Sequence, residues 1–199
     1  MCYLQFIFNE QDSANSLWSV ASSFGVQLID EPQWSPLIQA ALERCNTMNG
    51  QQISNSVMAL GDFGVVIHDE PQLRPMLEAA VHRRDKTNTQ QIANIVLAFA
   101  NMGVGDPVLI QPLIDAVSEY VDQLRVVEIG ACMLAMAKLD IRDPALWIRL
   151  CDMAYSQIAN FDMQSVSNVS FALAIWAMTA NLKSSSVEAK ESVSRVKQV

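Results

Sequence analysis

Amide side chains recur in pairs four residues apart along this chain: Gln11 with Asn15, Gln51 with Asn55, Gln90 with Asn94, and Gln164 with Asn168. On a helix that spacing sets both amides of a pair on one face. A carboxamide carries donors and an acceptor together, so a row of such pairs can read the edges of unpaired bases. The same residues also have structural uses. An Asn beside an apolar seam can satisfy backbone polar atoms of the neighbouring element, and a Gln near a helix start can cap it. Both uses remain open at this point. One basic cluster, His82-Arg83-Arg84-Asp85-Lys86, adds Arg83, Arg84 and Lys86 as candidate phosphate contacts, against the alternative of an ordinary solvated loop.

Other reactive residues form no catalytic set. Asp62-Phe63-Gly64 spells the magnesium-binding tripeptide of protein kinases, but no glycine-rich loop or catalytic-loop motif accompanies it, and the matching Phe24-Gly25 lacks the Asp. His68 and His82 have no partners at ligand spacing, so no metal site is expected. Cys2, Cys45, Cys132 and Cys151 lie far apart without a CxxC pair, and the last three sit in apolar helical surroundings. Free thiols in a reducing compartment follow. No enzyme and no cofactor are expected.

The elements that position the amides come in copies. Asn15, Asn55, Asn94, Ala131 and Asn168 align with steps of 40, 39, 37 and 37 residues. Three residues on stand Trp18, Met58, Leu97, Leu134 and Phe171, and six on stand Ala21, Gly61, Ala100, Ala137 and Ala174. Periods of this length mark solenoids or propellers. Taking the Asn column as zero, apolar residues fall at −2, +2, +3 and +5 and small ones at −1 and +6, which makes one broad apolar face of a helix and not a strand alternation. Trp18 is expected to pack in that face, as is Leu97. The small residues Ala14, Ser54, Ala93, Gly130 and Ser167 allow a neighbouring helix to approach closely.

Each copy reads as a hairpin of a helix A and a helix B. Phe24-Gly25-Val26, Phe63-Gly64-Val65 and Met102-Gly103-Val104 end helix A with a glycine suited to a left-handed C-cap. Asp30-Glu31-Pro32, Asp69-Glu70-Pro71, Asp106-Pro107 and Asp143-Pro144 then supply an Asp cap and a first-turn proline for helix B. The fourth copy drifts, with Leu139-Asp140-Ile141 at the turn and Val127 and Ala131 in the amide columns. The predicted fold is an all-α right-handed solenoid over residues 1–182, with copies near 8–47, 48–86, 87–123, 124–160 and 161–182. Residues 183–199 read as a weakly ordered polar tail or a degenerate closing helix.

Of the 199 residues, 51% are apolar and 17% charged, with a net charge of −8, which excludes a disordered chain. The last seventeen residues carry four basic and two acidic groups, leaving −10 on residues 1–182, a poor match to tight electrostatic binding of nucleic acid. No run approaches the length of a membrane span, so a soluble, intracellular protein is expected. The opening Met-Cys-Tyr-Leu-Gln-Phe-Ile-Phe is short and lacks a basic start, so no targeting peptide is visible, and its abrupt entry into the first copy suggests a piece of a longer array.

Phe8-Asn9-Glu10-Gln11 with Asn15 and Trp18, and Phe161-Asp162-Met163-Gln164 with Asn168, Phe171 and Ala172, resemble the repeat of octotricopeptide-type proteins. That group is similar to the helical arrays of organellar RAP-domain and FAST-kinase-like proteins and to helical subunits of the mitochondrial RNA-editing substrate-binding complex. The resemblance covers residues 8–180. It implies a superhelix of paired helices in a mitochondrion or plastid that binds or organises RNA in processing, editing, stability or translation, with no kinase activity. Its expected partners are single-stranded RNA or ribonucleoprotein subunits and other proteins, with no DNA and no membrane. The Gln and Asn columns are the residues it carries over. The alternative is a protein-interaction scaffold of the HEAT or tetratricopeptide kind, without RNA contact.

Overall fold

The computed structural model describes residues 9–24, 35–65 and 71–196, with Phe24, Ser35, Pro71, Asp85 and residues 180–196 as backbone only. The turn at Gly25, the segment Asp30-Glu31-Pro32, and Cys2, His68 and Asp69 therefore lie outside the described residues. Every regular element among those described is helical. They are α1 (Glu10–Phe24), α2 (Ser35–Arg44), α3 (Gly50–Asp62), α4 (Arg74–His82), α5 (Thr89–Asn101), α6 (Pro107–Tyr120), α7 (Val126–Lys138), α8 (Pro144–Ser156) and α9 (Met163–Val196). Short 3₁₀ turns at Arg84–Lys86, Val121–Gln123 and Ile158–Asn160 lead into α5, α7 and α9.

Local chemistry sets the helix ends. The Asn49 side chain accepts from the Gln52 backbone N–H at 3.0 Å, and the Gln52 side chain accepts from the Asn49 N–H at 2.7 Å. Asn88 and Gln91 repeat this reciprocal cap before α5, and Asn9 and Asp12 repeat it before α1. Two orphan donors are satisfied each time. Capping thus belongs to the residue after each Gln of the amide column, which leaves Gln51 and Gln90 out of that job.

Helices α3, α5 and α7 close with one motif. Val65, Val104 and Ile141 donate their N–H groups back to Leu60, Phe99 and Met136 at 3.2, 2.9 and 2.9 Å. The residue before each takes positive φ: 73° at Gly64, 68° at Gly103 and 52° at Asp140. This is the expected left-handed cap. In the drifted fourth copy Asp140 adopts it, since Asp tolerates the left-handed region better than most side chains. At the even helices the Asp-Pro expectation holds where it can be seen. Asp106 accepts from the Val108 N–H at 2.9 Å and Asp143 from the Leu146 N–H at 3.0 Å, each followed by proline.

Packing follows from the small columns. Each odd helix packs on the next, α1 on α3 through to α7 on α9, and α2, α4, α6 and α8 each pack on the odd helix that precedes them. Ser54 Oγ reaches the Gln91 carbonyl at 3.4 Å, and a Cβ placed on Gly61 would stand 3.1 Å from Ala98 Cα. So α3 and α5 approach at backbone distance, and only a minimal side chain fits between them. The core is continuous from Leu17 through Ile53, Phe99, Ile129 and Leu150, all buried. Leu97, expected in the seam, is partly buried and packs against this core, and Leu134 in the same column is buried, while Trp18 and Phe171 in that column are exposed.

Candidate nucleic-acid interface

The amide pairs lie on the odd helices α1, α3, α5 and α9. Gln11, Gln51, Gln90, Gln164 and Asn15 are exposed, while Asn55, Asn94 and Asn168 are half-buried. Two depressions are lined in part by these amides. One of about 610 Å³ is lined by Asn15, Trp18, Gln51, Asn55, Gln90 and Asn94 among others. The second, of about 480 Å³, takes Gln90 and Asn94 together with Arg125, Val127 and Glu128. Gln90 and Asn94 belong to both, so the two form one groove that crosses α1, α3, α5 and the start of α7.

Three of these eight amides are not consumed by the fold. Gln51, Asn55 and Asn94 make no side-chain hydrogen bond among the described residues. That removes the structural use at these three positions. In the outer pairs Gln11 Nε2 donates to Asn15 Oδ1 at 2.8 Å, and Gln164 Nε2 donates to Asn168 Oδ1 at 2.9 Å. The Gln164 pair, on α9, lines neither depression.

The orientation of Asn15 is fixed by a relay that starts at a backbone group. The Asn49 N–H can only donate, so Oε1 of Gln52 must face it. Gln52 Nε2 then donates to Gln11 Oε1 at 3.0 Å, and Gln11 Nε2 donates onward to Asn15 Oδ1. Asn15 is left with its Nδ2 amine to offer to the groove. At the other end Arg125 donates to Gln90 Oε1 at 3.3 Å, so Gln90 also presents its amine.

Arg125 was not anticipated. It caps α7 together with Glu128: its N–H donates to Glu128 Oε2 at 2.9 Å and its Nε to Oε1 at 2.7 Å. The guanidinium neutralises a carboxylate that is buried, yet its own side chain stays 68% exposed. No other acid lines either depression. Among the described residues, Glu128 is thus the single carboxylate that lines the two depressions. The signal in the sequence is Arg125-Val-Val-Glu128, which takes the capping-box register of Asn49-Gln52 in the copy whose amide columns are lost.

Trp18 is likewise a groove residue, where packing was expected; it is 44% exposed and lines the larger depression. The wheel contains the reason. Trp18 follows Gln11 by seven residues, about 20° apart at roughly 100° per residue, so the +3 column borders the amide stripe rather than the centre of the apolar face.

The basic cluster is elsewhere. Arg83 donates to the carbonyls of Ala79, at 3.3 Å, and of Asn46, tying the end of α4 to the turn before α3. Arg84 lines a separate hollow of about 240 Å³ with Asp115, Glu119 and Tyr120 of α6, and Lys86 is exposed on the adjoining 3₁₀ turn. None of the three lines the amide groove. No group of acids, histidines and cysteines capable of holding a metal exists among the described residues, and no helix is long and apolar enough to cross a membrane.

A family model described as RNA-editing substrate-binding complex 6 protein matches residues 6–182. No curated protein matches the chain.

Proposed function

We propose, for a chain that belongs to the RNA-editing substrate-binding complex 6 family, a non-enzymatic role as a helical subunit of a mitochondrial RNA-editing complex that holds single-stranded RNA along its amide groove. The family model supports the editing context and ribonucleoprotein partners. The observation that carries RNA contact is the groove itself: Gln51, Asn55 and Asn94 face it without internal partners, and Arg125 stands at its end. The fold uses none of these three accessible amides, so their donors and acceptors, satisfied by water in the free protein, are available to exchange that water for a ligand. The serial packing of odd helices, with an even helix against each of α1, α3, α5 and α7, supports a solenoid of 37–40-residue copies as the frame, which we take as right-handed.

Replacing Gln51, Asn55, Gln90 and Asn94 together by Ala tests the reading. Fluorescence anisotropy with a labelled single-stranded RNA should show binding weakened by at least about tenfold, from the loss of several hydrogen bonds. The melting temperature should stay within a few degrees of wild type. An unchanged affinity overturns RNA contact by the groove. The net charge of −8 favours a second reading, a scaffold that holds a basic peptide; capture of such a peptide by a protein that ignores RNA at low salt would establish it.

A further inference from the structure

We propose that Trp18 is a stacking platform for one unpaired RNA base, whose edge is met by the Nδ2 amine of Asn15; this rests on the RNA-binding reading of the groove. Three observations on α1 and α3 converge. Trp18 is 44% exposed and lines the larger depression, so nearly half of a residue expected to pack in the apolar face is open to the groove. Its column is filled by aliphatic side chains in the following three copies, Met58, Leu97 and Leu134, so the fold does not need an aromatic ring there. And the relay from the Asn49 N–H through Gln52 and Gln11 fixes the Asn15 carboxamide with its amine outward, one helical turn from the ring.

The chemistry selects the ligand. A base presents a flat π-face to the indole, and every base also carries ring-edge acceptors that the Asn15 amine can meet. Paired RNA keeps its bases stacked within the duplex, so the site takes single strands. Met58 adds a polarizable thioether to the wall, and Gln51 and Asn55 offer amides to the neighbouring nucleotide. Among the described residues the groove is lined by one cation, Arg125, on the far side of Gln90, so the strand is gripped through its bases more than through its phosphates.

The experiment titrates wild type, Trp18→Ala and Trp18→Phe with an eight-nucleotide labelled single-stranded RNA, and with a ribose-phosphate strand of the same length lacking bases. Trp18→Ala should weaken binding by about tenfold, the loss expected of one stacked base. Trp18→Phe should keep most of the affinity, because a ring remains. RNA should quench tryptophan emission in wild type and much less in Trp18→Phe, and the base-free strand should bind far more weakly than RNA. Full affinity in Trp18→Ala, or quenching unchanged in Trp18→Phe, overturns the platform while leaving groove binding in place. Equal binding of the base-free strand overturns it as well. No RNA binding by wild type overturns both readings. Should Trp18→Ala fail to fold, the quenching comparison with Trp18→Phe decides.

Discussion

Cys132 sits on α7 with no exposed surface, and burial pushes its thiol from the ordinary 9.0 up to about 12, with the Glu128 carboxylate adding to the shift. The folded chain therefore keeps this proton where an unfolded one has lost it. Below pH 9 the two states bind the proton alike and the thiol is neutral to stability; between 9 and 12 the unfolded state is favoured, so stability falls as pH rises. Burial also excludes alkylating reagents, which need the thiolate. At pH 8, mass spectrometry should find Cys132 unmodified by iodoacetamide in the folded protein and modified in denaturant, while half-buried Cys151 reacts in both. Native alkylation of Cys132 at the rate of Cys151 would contradict its burial. The i,i+4 amide pairs were legible at this scale because helical spacing alone sets two side chains on one face. Trp18 was not, since its apolar column mates suggested packing and only its angle from Gln11 revealed the groove. Arg125 was hidden for another reason: an Arg rarely caps a helix, and it does so here through the buried Glu128.

Helix ends were the most legible elements, because each depends on a few neighbouring residues. Gly64, Gly103, Asp106 and Asp143 do what their residue types dictate, and Asp140 shows that the left-handed cap outlasts the loss of its glycine. The helix starts were less plain: Gln51 and Gln90 were weighed as caps, but the reciprocal bonds fall to Gln52 and Gln91. Two glycines two residues apart isolate the backbone effect. Gly103 has φ of 68° and Gly105 does not have positive φ, and an added Cβ meets nothing within 4 Å at either. Gly103→Ala should destabilise by about 1 kcal/mol, the cost of forcing an L side chain into the left-handed region. Gly105→Ala should be neutral or slightly stabilising, by up to about 1 kcal/mol, through reduced freedom of the unfolded chain. Chemical denaturation measures both, and equal losses would refute the backbone explanation.

Across the whole molecule, the serial contact of α1, α3, α5, α7 and α9 turns scattered amides into one groove. Periodicity made that stacking legible, since small residues recur wherever backbones approach, as at Gly61 against Ala98. What periodicity could not give was the distribution of charge. A net of −8 argued against nucleic acid, yet the groove walls carry Arg125 and a single, neutralised carboxylate. The basic cluster that looked most suited to phosphate lies instead beside α4 and α6. Position on the surface, then, separates the two candidate contacts. Ultraviolet crosslinking of a single-stranded RNA to the protein, with the crosslinked peptides identified by mass spectrometry, reads that position directly. The account predicts crosslinks in α1 around Trp18 and in the first turns of α3 and α5. Crosslinks confined to Arg83, Arg84 and Lys86 or to the even-numbered helices would contradict it.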